Sequence, residues 1–360
     1  MHRLALFSCG QRCWTAAEVV SGADFRGELT PVRTMVAAGL AVAAHAEQAG
    51  VEVDDALLQQ CSDQYRQDRG LASADATSRW LAAHGLDLDD FADFLERRLL
   101  LTQFEEELKA IVERQPPDRD EVQALVWPEL ALSGAAGEPA MWLARRVALR
   151  EANAVAVPPG EAALSEERTR FFERSGITES DVSRWCAAYG CTPSWVEELT
   201  ALEALYRGKR TELLRPAAFD EEIARKRQDL MCIEVEAAAF EQASAAREAF
   251  LCVTEDGEGL PDVSRRGNAG LYHTNVYLET LDARLQQQLL SGAPGDVLPP
   301  FEGEGKFWVY RIRSKTEPDL ADPHVRERLE HNLITRYFDD LVVAHVQFHD
   351  PPHSLATKET

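Results

Sequence analysis

The chain has 360 residues, of which 45% are hydrophobic and 28% charged, so it is long and apolar enough for two or three folded domains and is not a disordered chain. Its 61 acidic and 38 basic residues give a formal charge of −23, which excludes nucleic acid as an expected partner because it repels phosphate backbones. Solubility alone explains such an acidic surface, although the surface attracts a basic or neutral peptide more easily than it attracts nucleic acid.

The first residues of the chain and its cysteines indicate in which cellular compartment the protein is expected. Residues 1–12 contain one short apolar run, too brief for the apolar part of a signal peptide. No window has the apolar length that spans a bilayer. The seven cysteines form no disulfide framework, and the pair Cys9 and Cys13 has no second pair at metal-ligand spacing. We therefore expect a cytoplasmic protein with no membrane partner, no metal and no other cofactor.

A short pattern occurs twice in the first two-thirds of the chain. Residues 78–85 and 183–190 are identical at six of eight positions, and the offset between them is a constant 105. A repeat at fixed spacing indicates one helical unit used twice. Trp80 and its counterpart Trp185 are interpreted as core anchors of the two copies. Trp195 stands where the first copy has a charged residue, so we expect it to be an exposed contact.

Helical periodicity defines the extent of the two copies. Apolar residues recur at helix spacing from about residue 31 to residue 107, and the Pro116-Pro117 pair then breaks the pattern. The sequence predicts helical module 1 over residues 30–115 and helical module 2, its repeat, over residues 118–215.

The character of the chain changes after residue 215. Predicted elements follow in the order charged helix, strand, short helix, loop, helix and strand, at residues 220–228, 230–235, 240–252, 256–271, 278–291 and 307–312. This order predicts a compact α+β domain over residues 229–315. An amphipathic helix over 323–349 is expected to pack on the helical part. The predicted fold class is mostly α with a small α+β domain.

The α+β region resembles a known family. Gly295-Asp296-Val297-Leu298-Pro299-Pro300-Phe301, followed by the strand at 305–312, is similar to the last turn and strand of a parvulin-type (PpiC-like) peptidyl-prolyl isomerase domain. Residues 278–290 match the helix before that turn, and residues 230–235 match the opening strand. The resemblance implies a parvulin-like domain.

The helical region resembles a second family. Residues 46–55, Ala-Glu-Gln-Ala-Gly-Val-Glu-Val-Asp-Asp, are similar to a helix junction in the amino-terminal region of SurA-like chaperones. Together the two resemblances cover roughly residues 30–315, and they imply two repeated SurA-like helical modules followed by a parvulin-like domain and a C-terminal helix. They imply an extended or precursor peptide as partner. A subset of such cytoplasmic proteins is associated with the maturation of ribosomally made peptide natural products (RiPPs).

The departures from the parvulin pattern imply a degenerate site. The family carries a histidine on each of two central strands and hydroxyl groups nearby, whereas Cys232 and Trp308 stand at the histidine positions, Leu298 at the turn serine and Gly303 at the loop threonine. Prolyl isomerisation requires a site that binds the twisted amide better than the planar one, against a barrier of about 18–20 kcal/mol. An apolar cavity does this poorly, so we expect peptide binding with weak or absent isomerase activity.

The residues predicted to bind substrate line an apolar groove that corresponds to the parvulin proline pocket: Val276, Leu278, Leu281, Phe301, Phe307 and Trp308. Ordinary core packing explains part of this set. Trp195 is predicted as a further substrate contact. One alternative is an enzyme, either isomerase-like or precursor-peptide-modifying, in which Cys232 is catalytic or Glu234 takes part. Another is a scaffold that joins other peptide-maturation enzymes. His345, His349 and His353 are explained by a solvated helix end, because Pro351 ends the helix before a metal site is complete.

Overall fold

The structure is a computed structural model that describes residues 4–154 and 158–349. The chain divides into two compact units, residues 1–210 with 336–360, and residues 211–335. We call the first the helical unit and the second the sheet unit. The predicted fold class, mostly α with a small α+β domain, is confirmed.

The helical unit begins with a hairpin and continues with helices. Its elements are β1 (Ala5–Cys9), β2 (Arg12–Thr15), α1 (Ala16–Phe25), α2 (Thr30–Ala49), α3 (Asp55–Asp68), α4 (Ala74–Ala83), α5 (Leu88–Gln103), α6 (Leu108–Arg114), α7 (Arg119–Ser133), α8 (Gly137–Ala152), α9 (Glu161–Ser175), a 3-10 turn at Glu179–Asp181, α10 (Val182–Tyr189) and α11 (Pro193–Leu213), whose last turn enters the sheet unit.

The sheet unit begins with α12 and continues into α16, whose second half belongs to the helical unit. Its elements are α12 (Pro216–Lys226), β3 (Cys232–Phe240), α13 (Ala243–Thr254), α14 (Leu260–Arg266), β4 (Gly270–Tyr277), a 3-10 turn at Leu278–Thr280, α15 (Ala283–Ser291), β5 (Phe301–Gly303), β6 (Lys306–Thr316) and α16 (Pro323–His345); the strand β7 (Val346–Phe348) then returns to the helical unit.

A three-stranded sheet, in the order β2-β1-β7, joins the two ends of the helical unit. Phe7 is opposite Phe348, and their rings lie 5.6 Å apart. The helix predicted over 323–349 therefore ends at His345, and its last residues form an edge strand. These three strands are five residues or shorter. Such short strands carry too few alternating positions to be recognised in the sequence.

The repeat appears in the structure as two similar helix pairs. Trp80 on α4 contacts Tyr65 edge-on at 6.3 Å, and Trp185 on α10 contacts Phe171 edge-on at 5.3 Å. Both helices end next to a glycine in the left-handed region, Gly85 with φ 68° and Gly190 with φ 62°. A single hydrophobic core contains buried residues of both copies, so each copy buries its apolar face with the help of the other.

The four strands of the sheet unit form an antiparallel sheet in the order β4-β3-β6-β5. One face packs on α13 and α14 through Ala238, Phe240 and Val309, and the other packs on α15 through Ile233 and Ile312. We call these the α13 face and the α15 face. The strand predicted over residues 230–235 continues to Phe240, and the helix predicted from residue 240 begins at Ala243, because the alanines of β3 pair on both sides with β4 and β6. The strand β4 and the helix α14 were not predicted.

Among the described residues no single helix has the length and hydropathy to cross a bilayer. The helices α1 and α2 meet that criterion only as a pair, and they are bent by 105° relative to each other.

The buried phenol of Tyr65 predicts a loss of stability in alkali. Tyr65 donates a 2.9 Å hydrogen bond to the Leu132 carbonyl, and burial raises its pKa to about 12. Because the unfolded value is about 10, this stabilisation is present below about pH 10 and falls by about 2–3 kcal/mol as the pH rises to about 12. Urea unfolding at several alkaline pH values should show a smaller loss for Tyr65→Phe than for the wild type, with the exposed Tyr272→Phe as control. An equal loss in all three proteins would contradict this.

Candidate functional site

The α15 face of the sheet carries a set of aromatic side chains, of which Tyr272 is exposed and the other three are half-buried. Tyr272 on β4 and Tyr310 on β6 both lie opposite Ala237 of the central strand β3, and Trp308 lies opposite Ala239. Phe301 on β5 lies opposite Trp308. Directly opposite residues of antiparallel strands share a face, so these rings stand on one side of the sheet. We call Tyr272, Phe301, Trp308 and Tyr310 the aromatic surface.

The two alanines shape this surface. Ala237 and Ala239 are 2% and 5% exposed, and their methyl groups are far smaller than the rings on both sides. The tyrosines and the tryptophan therefore cover the central strand, and we call the shallow surface that their rings form the trough. Tyr272, at the outer edge of the sheet, is 49% exposed.

The rings are ordered by contact with one another. Phe301 and Tyr310 are stacked at 5.2 Å with 14° between their planes, and Trp308 and Tyr310 are stacked at 6.1 Å with 21°. Tyr272 lies 5.7 Å from Trp308. The Trp308 indole N–H donates a 2.9 Å hydrogen bond to the Gly303 carbonyl, which fixes the orientation of the ring. The surface is thus formed before any ligand arrives.

A tight hairpin turn makes this arrangement possible. Glu304 and Gly305 connect β5 to β6 with φ values of 53° and 71°, as in the type I′ turn that suits the twist of two-residue hairpins. At Gly303 a Cβ atom would lie 3.2 Å from Cε2 of Phe301, so a larger residue would push against that ring. Gly303 therefore makes room for Phe301.

Carboxylates lie near the edge of the aromatic surface. The pKa of the Tyr310 phenol is raised, first by burial and then by the negative charges of Glu304 and Asp282. The phenol is neutral at physiological pH. Cationic groups that approach the edge would meet favourable charges.

The structure assembles part of the predicted substrate-binding set. Phe301 and Trp308 belong to the aromatic surface, and Val276 and Leu281 are half-buried beside it on the same face. Leu278 is 2% exposed, so its assignment as a contact residue is corrected to core packing. Phe307 is also corrected: it packs with Phe240 on the α13 face, because alternate residues of a strand point to opposite sides.

The expectation that Trp195 is an exposed contact is wrong. Its side chain is 5% exposed in the core of the helical unit, where the indole N–H donates a 2.8 Å hydrogen bond to Ser21 and the ring lies 5.8 Å from Trp14. The charged residue at this position of the first copy suggested exposure, but α1 and β2 cover the second copy.

Cys232 is not part of the aromatic surface. It lies opposite Tyr277 on the α13 face, since its neighbour Ile233 points to the α15 face. Burial raises the pKa of the Cys232 thiol, and the Tyr277 phenol beside it donates a 3.2 Å hydrogen bond to Asp322. A thiol held in its protonated form is a weak nucleophile. Glu234 is also on this face and accepts a 3.0 Å hydrogen bond from Ser314. A catalytic role for Cys232 stays a prediction that this geometry does not favour.

No imidazole lies on the aromatic surface. The sheet unit, residues 211–335, is described in full and contains three histidines. His273 lies opposite Glu236 on the α13 face, His324 contacts Tyr277 with the ring centroids 4.2 Å apart, and His331 lies on α16 beside Thr335. The polar groups that the aromatic surface itself contributes are the two phenols and the indole N–H, which is already bonded.

Tyr272 and Tyr310 are the site residues that the sequence analysis missed. Tyr310 follows Trp308 by two positions, so the alternation of a strand would have placed the two rings together. Tyr272 lies in a segment with four exposed polar or small neighbours and gave no comparable signal.

Potential metal ligands occur elsewhere. Within the described ranges one group has ligand atoms close enough for a cation, Cys252, Asp256 and Glu258, on the exposed end of α13. Arg266 already neutralises Glu258 at 2.9 Å. His353, the last of the three spaced histidines, lies outside the described residues.

The helical unit contains a cleft of about 660 Å³ that both apolar and polar residues line. Trp80, interpreted from the sequence as a core anchor, is half-buried and lines this cleft together with Trp127, Leu6 and Phe348. Trp185, in contrast, is 9% exposed, and its indole N–H donates to Asp24 at 2.7 Å. The two copies of the repeat have thus diverged: one tryptophan is covered and the other faces a cleft.

Comparison with known proteins gives partial structural matches. No family model and no curated protein matches the chain. The peptidylprolyl isomerase PrsA from Bacillus cereus aligns with a TM-score of 0.35 and 10% identity over 61% of this chain and 88% of that one. PrsA from Bacillus subtilis aligns with a TM-score of 0.21 and 11% identity over 66% of this chain and 88% of that one. A SurA-like chaperone of Campylobacter jejuni aligns with a TM-score of 0.20 and 13% identity over 61% of this chain and 87% of that one. At such TM-scores the alignments support no statement about activity.

Proposed function

We propose that the protein is a peptide-binding chaperone or maturation protein that holds an extended client segment on the aromatic surface and accelerates prolyl isomerisation weakly or not at all. The observation that carries this proposal is the preformed aromatic trough without an imidazole. Rigid aromatic rings on a shallow surface suit proline rings and aromatic side chains, because both bury apolar area there without new ordering of the site.

The edge of the sheet supports an extended client. The strand β4 pairs with β3 on one side only, and its residues from Tyr272 to Asn275 are exposed. An edge strand of this length presents unpaired backbone groups to which an extended peptide can add. A client that follows β4 would pass beside Tyr272 and the trough. Asp282 and Glu304 would favour basic residues next to the bound proline or aromatic residue.

The same surface is poorly equipped for catalysis. Isomerisation is accelerated only by groups that interact more strongly with the twisted amide than with the planar one. The phenols of Tyr272 and Tyr310 could each donate one hydrogen bond, but the titratable side chains near Tyr310, Glu304 and Asp282, are carboxylates at the edge of the surface and no imidazole lies on it. Binding without strong acceleration is the outcome that the geometry favours.

The client and the compartment are further parts of the proposal. We propose a precursor peptide of the RiPP kind as client, a cytoplasmic location and contact with other peptide-maturation enzymes. The sequence resemblance supports these points. A short precursor-peptide reading frame beside the gene, whose product binds the purified protein, would test them.

The central test combines binding with exchange kinetics. Fluorescence anisotropy should show micromolar binding of an extended peptide that contains proline, an aromatic residue and lysine, and much weaker binding of a Gly/Ser peptide of equal length and charge. Two-dimensional NMR exchange on the proline peptide should show a cis/trans rate close to the uncatalysed one. Strong acceleration would overturn the proposed lack of activity, and equal affinity for both peptides would overturn the proposed site.

A further inference from the structure

A second cleft of the helical unit combines an acidic rim with an unpaired basic group. It has a volume of about 820 Å³ and lies between α2, α5 and the turn that precedes α7. Exposed carboxylates surround it, and we call it the acidic cleft: Glu47, Glu52, Asp93, Glu96, Asp118 and Glu121. Its floor is apolar and includes Leu40, Ala44 and Leu100.

Arg97 is the basic side chain among the described residues that line the acidic cleft. It is only 8% exposed, and its Nη2 atom is buried without a hydrogen-bond partner. Gly39 on α2 makes room for it, since a Cβ atom there would lie 3.2 Å from Cδ of Arg97. Burial lowers the pKa of Arg97, against the opposing effect of nearby carboxylates. A buried guanidinium group with an unused donor destabilises a protein unless something binds it.

A second polar atom in the same cleft is also unpaired. The Gln115 side-chain nitrogen donates to Gln48 at 2.6 Å, while its Oε1 atom is buried without a partner. The acidic cleft therefore offers one unused donor and one unused acceptor. A polypeptide backbone supplies the complementary pair at every residue.

Packing does not require an arginine at this position. The residue 105 positions later, at the equivalent place in the second copy of the repeat, is Leu202, which is 1% exposed in the core. Beside Arg97 the neighbouring core residues Ala41 and Leu100 are apolar. A leucine would suit such surroundings, so the arginine is better explained by a ligand than by the fold.

The charges limit the class of ligand. An anion would satisfy Arg97 but would be repelled by the rim carboxylates. A polyamine or a metal cation would satisfy the rim but brings no acceptor for Arg97. A neutral backbone carbonyl together with a cationic side chain satisfies both.

We propose that the acidic cleft binds a lysine- or arginine-containing polypeptide segment, in which a backbone carbonyl accepts from Arg97, a backbone N–H donates to Gln115, and the basic side chains pair with the rim. This site goes beyond the proposed function, because it lies in the helical unit and uses neither aromatic nor proline recognition.

The test uses the full chain and a fluorescein-labelled lysine-rich peptide in an alanine and serine background, which offers the aromatic surface neither a proline nor an aromatic ring. We expect saturable binding that salt weakens and lysine acetylation abolishes. Arg97→Leu should weaken peptide binding about tenfold, as loss of one hydrogen bond from a charged donor predicts, and should leave spermine binding as strong or stronger, because a repelling positive charge is removed. The same variant should unfold at a higher temperature, so its weaker binding would not reflect misfolding.

Matched variants distinguish binding at the acidic cleft from a general effect of the protein's net negative charge. Glu47→Gln with Glu96→Gln should weaken peptide binding, while Glu105→Gln with Glu106→Gln, which changes the net charge equally outside the cleft, should weaken it much less. Trp308→Ala should have no effect, so failure of the aromatic surface is distinguishable from failure of the acidic cleft. The proposal is overturned if Arg97→Leu leaves peptide affinity unchanged, if both glutamate pairs weaken binding equally, or if spermine and the peptide depend on Arg97 alike.

Discussion

Replacement of Trp308 by alanine is expected to weaken binding of the proline- and aromatic-containing peptide by about thirtyfold, or about 2 kcal/mol, a typical value for a central aromatic contact residue. Trp308 is the ring that contacts both Tyr272 and Tyr310, and its bond to the Gly303 carbonyl holds the β5–β6 hairpin in place. Its loss removes one of the rings that form the trough and loosens the rings beside it. Fluorescence anisotropy of the labelled peptide measures the change.

Two further variants make this result interpretable. Trp308→Phe keeps an aromatic ring and loses the indole N–H, so it should retain most of the affinity. Tyr272→Ala removes a 49% exposed side chain that the fold does not need, and it should weaken binding about threefold to tenfold. Asn275→Ala, on the opposite face of the same strand, is the matched control and should bind like the wild type. Unchanged affinity in both Trp308→Ala and Tyr272→Ala would place the client elsewhere.

The elements of this chain were more predictable than the faces of its strands. The repeat at offset 105 predicted the paired helices because an eight-residue match fixes both the helix and the glycine that follows it. The sequence could not settle which of Phe307 and Trp308, or of Cys232 and Ile233, faces the site, since a shift of one residue moves a side chain to the other face. The register of β3 between β4 and β6 decides this, and that register depends on contacts far apart in the chain.

Buried charge was the other property that sequence patterns did not reveal. Arginine and glutamate on amphipathic helices are normally solvent-exposed. Arg97, Arg146 and Glu203 are nevertheless 8%, 8% and 5% exposed. Their burial results from helix packing in the helical unit, where small residues such as Gly39 allow close approach. No local pattern distinguishes these side chains from the exposed ones beside them.

The buried ion pair of Arg146 and Glu203 leads to the largest expected change in stability. Arg146 on α8 bonds Glu203 on α11 and lies over the Tyr206 ring at 4.0 Å, and Arg26 approaches Glu203 at 3.8 Å. In the first copy of the repeat, the position equivalent to Glu203 lies 105 residues earlier and is Arg98. Arg98 forms a 2.8 Å ion pair with the buried Glu129. Both copies therefore pair a charge at this position, with opposite sign.

Arg146→Met is expected to lower the free energy of unfolding of the helical unit by about 3–5 kcal/mol, because it removes the hydrogen-bonded partner of the buried Glu203 carboxylate and leaves Arg26 at 3.8 Å as its nearest ion pair. Urea unfolding followed by tryptophan fluorescence measures this unit, since six of the seven tryptophans, all except Trp308, lie in it. Arg184→Met is the control: its guanidinium group is 85% exposed and 3.6 Å from Asp181, so the change should stay within about 0.5 kcal/mol.

The double variant Arg146→Met with Glu203→Leu distinguishes two effects. One is the destabilisation caused by a buried carboxylate without its partner, and the other is the net stabilisation that the ion pair contributes. Apolar side chains of similar volume remove both desolvation costs, so the double variant should recover most of the stability lost by Arg146→Met and can exceed the wild type. Arg26 keeps its two 2.6 Å bonds to Glu28 in that background, while its buried Nη1 atom, which has no hydrogen-bond partner, loses the 3.8 Å approach to Glu203. If the double variant is as unstable as Arg146→Met alone, the pair itself stabilises the interface between α8 and α11, and the explanation by a stranded carboxylate is wrong.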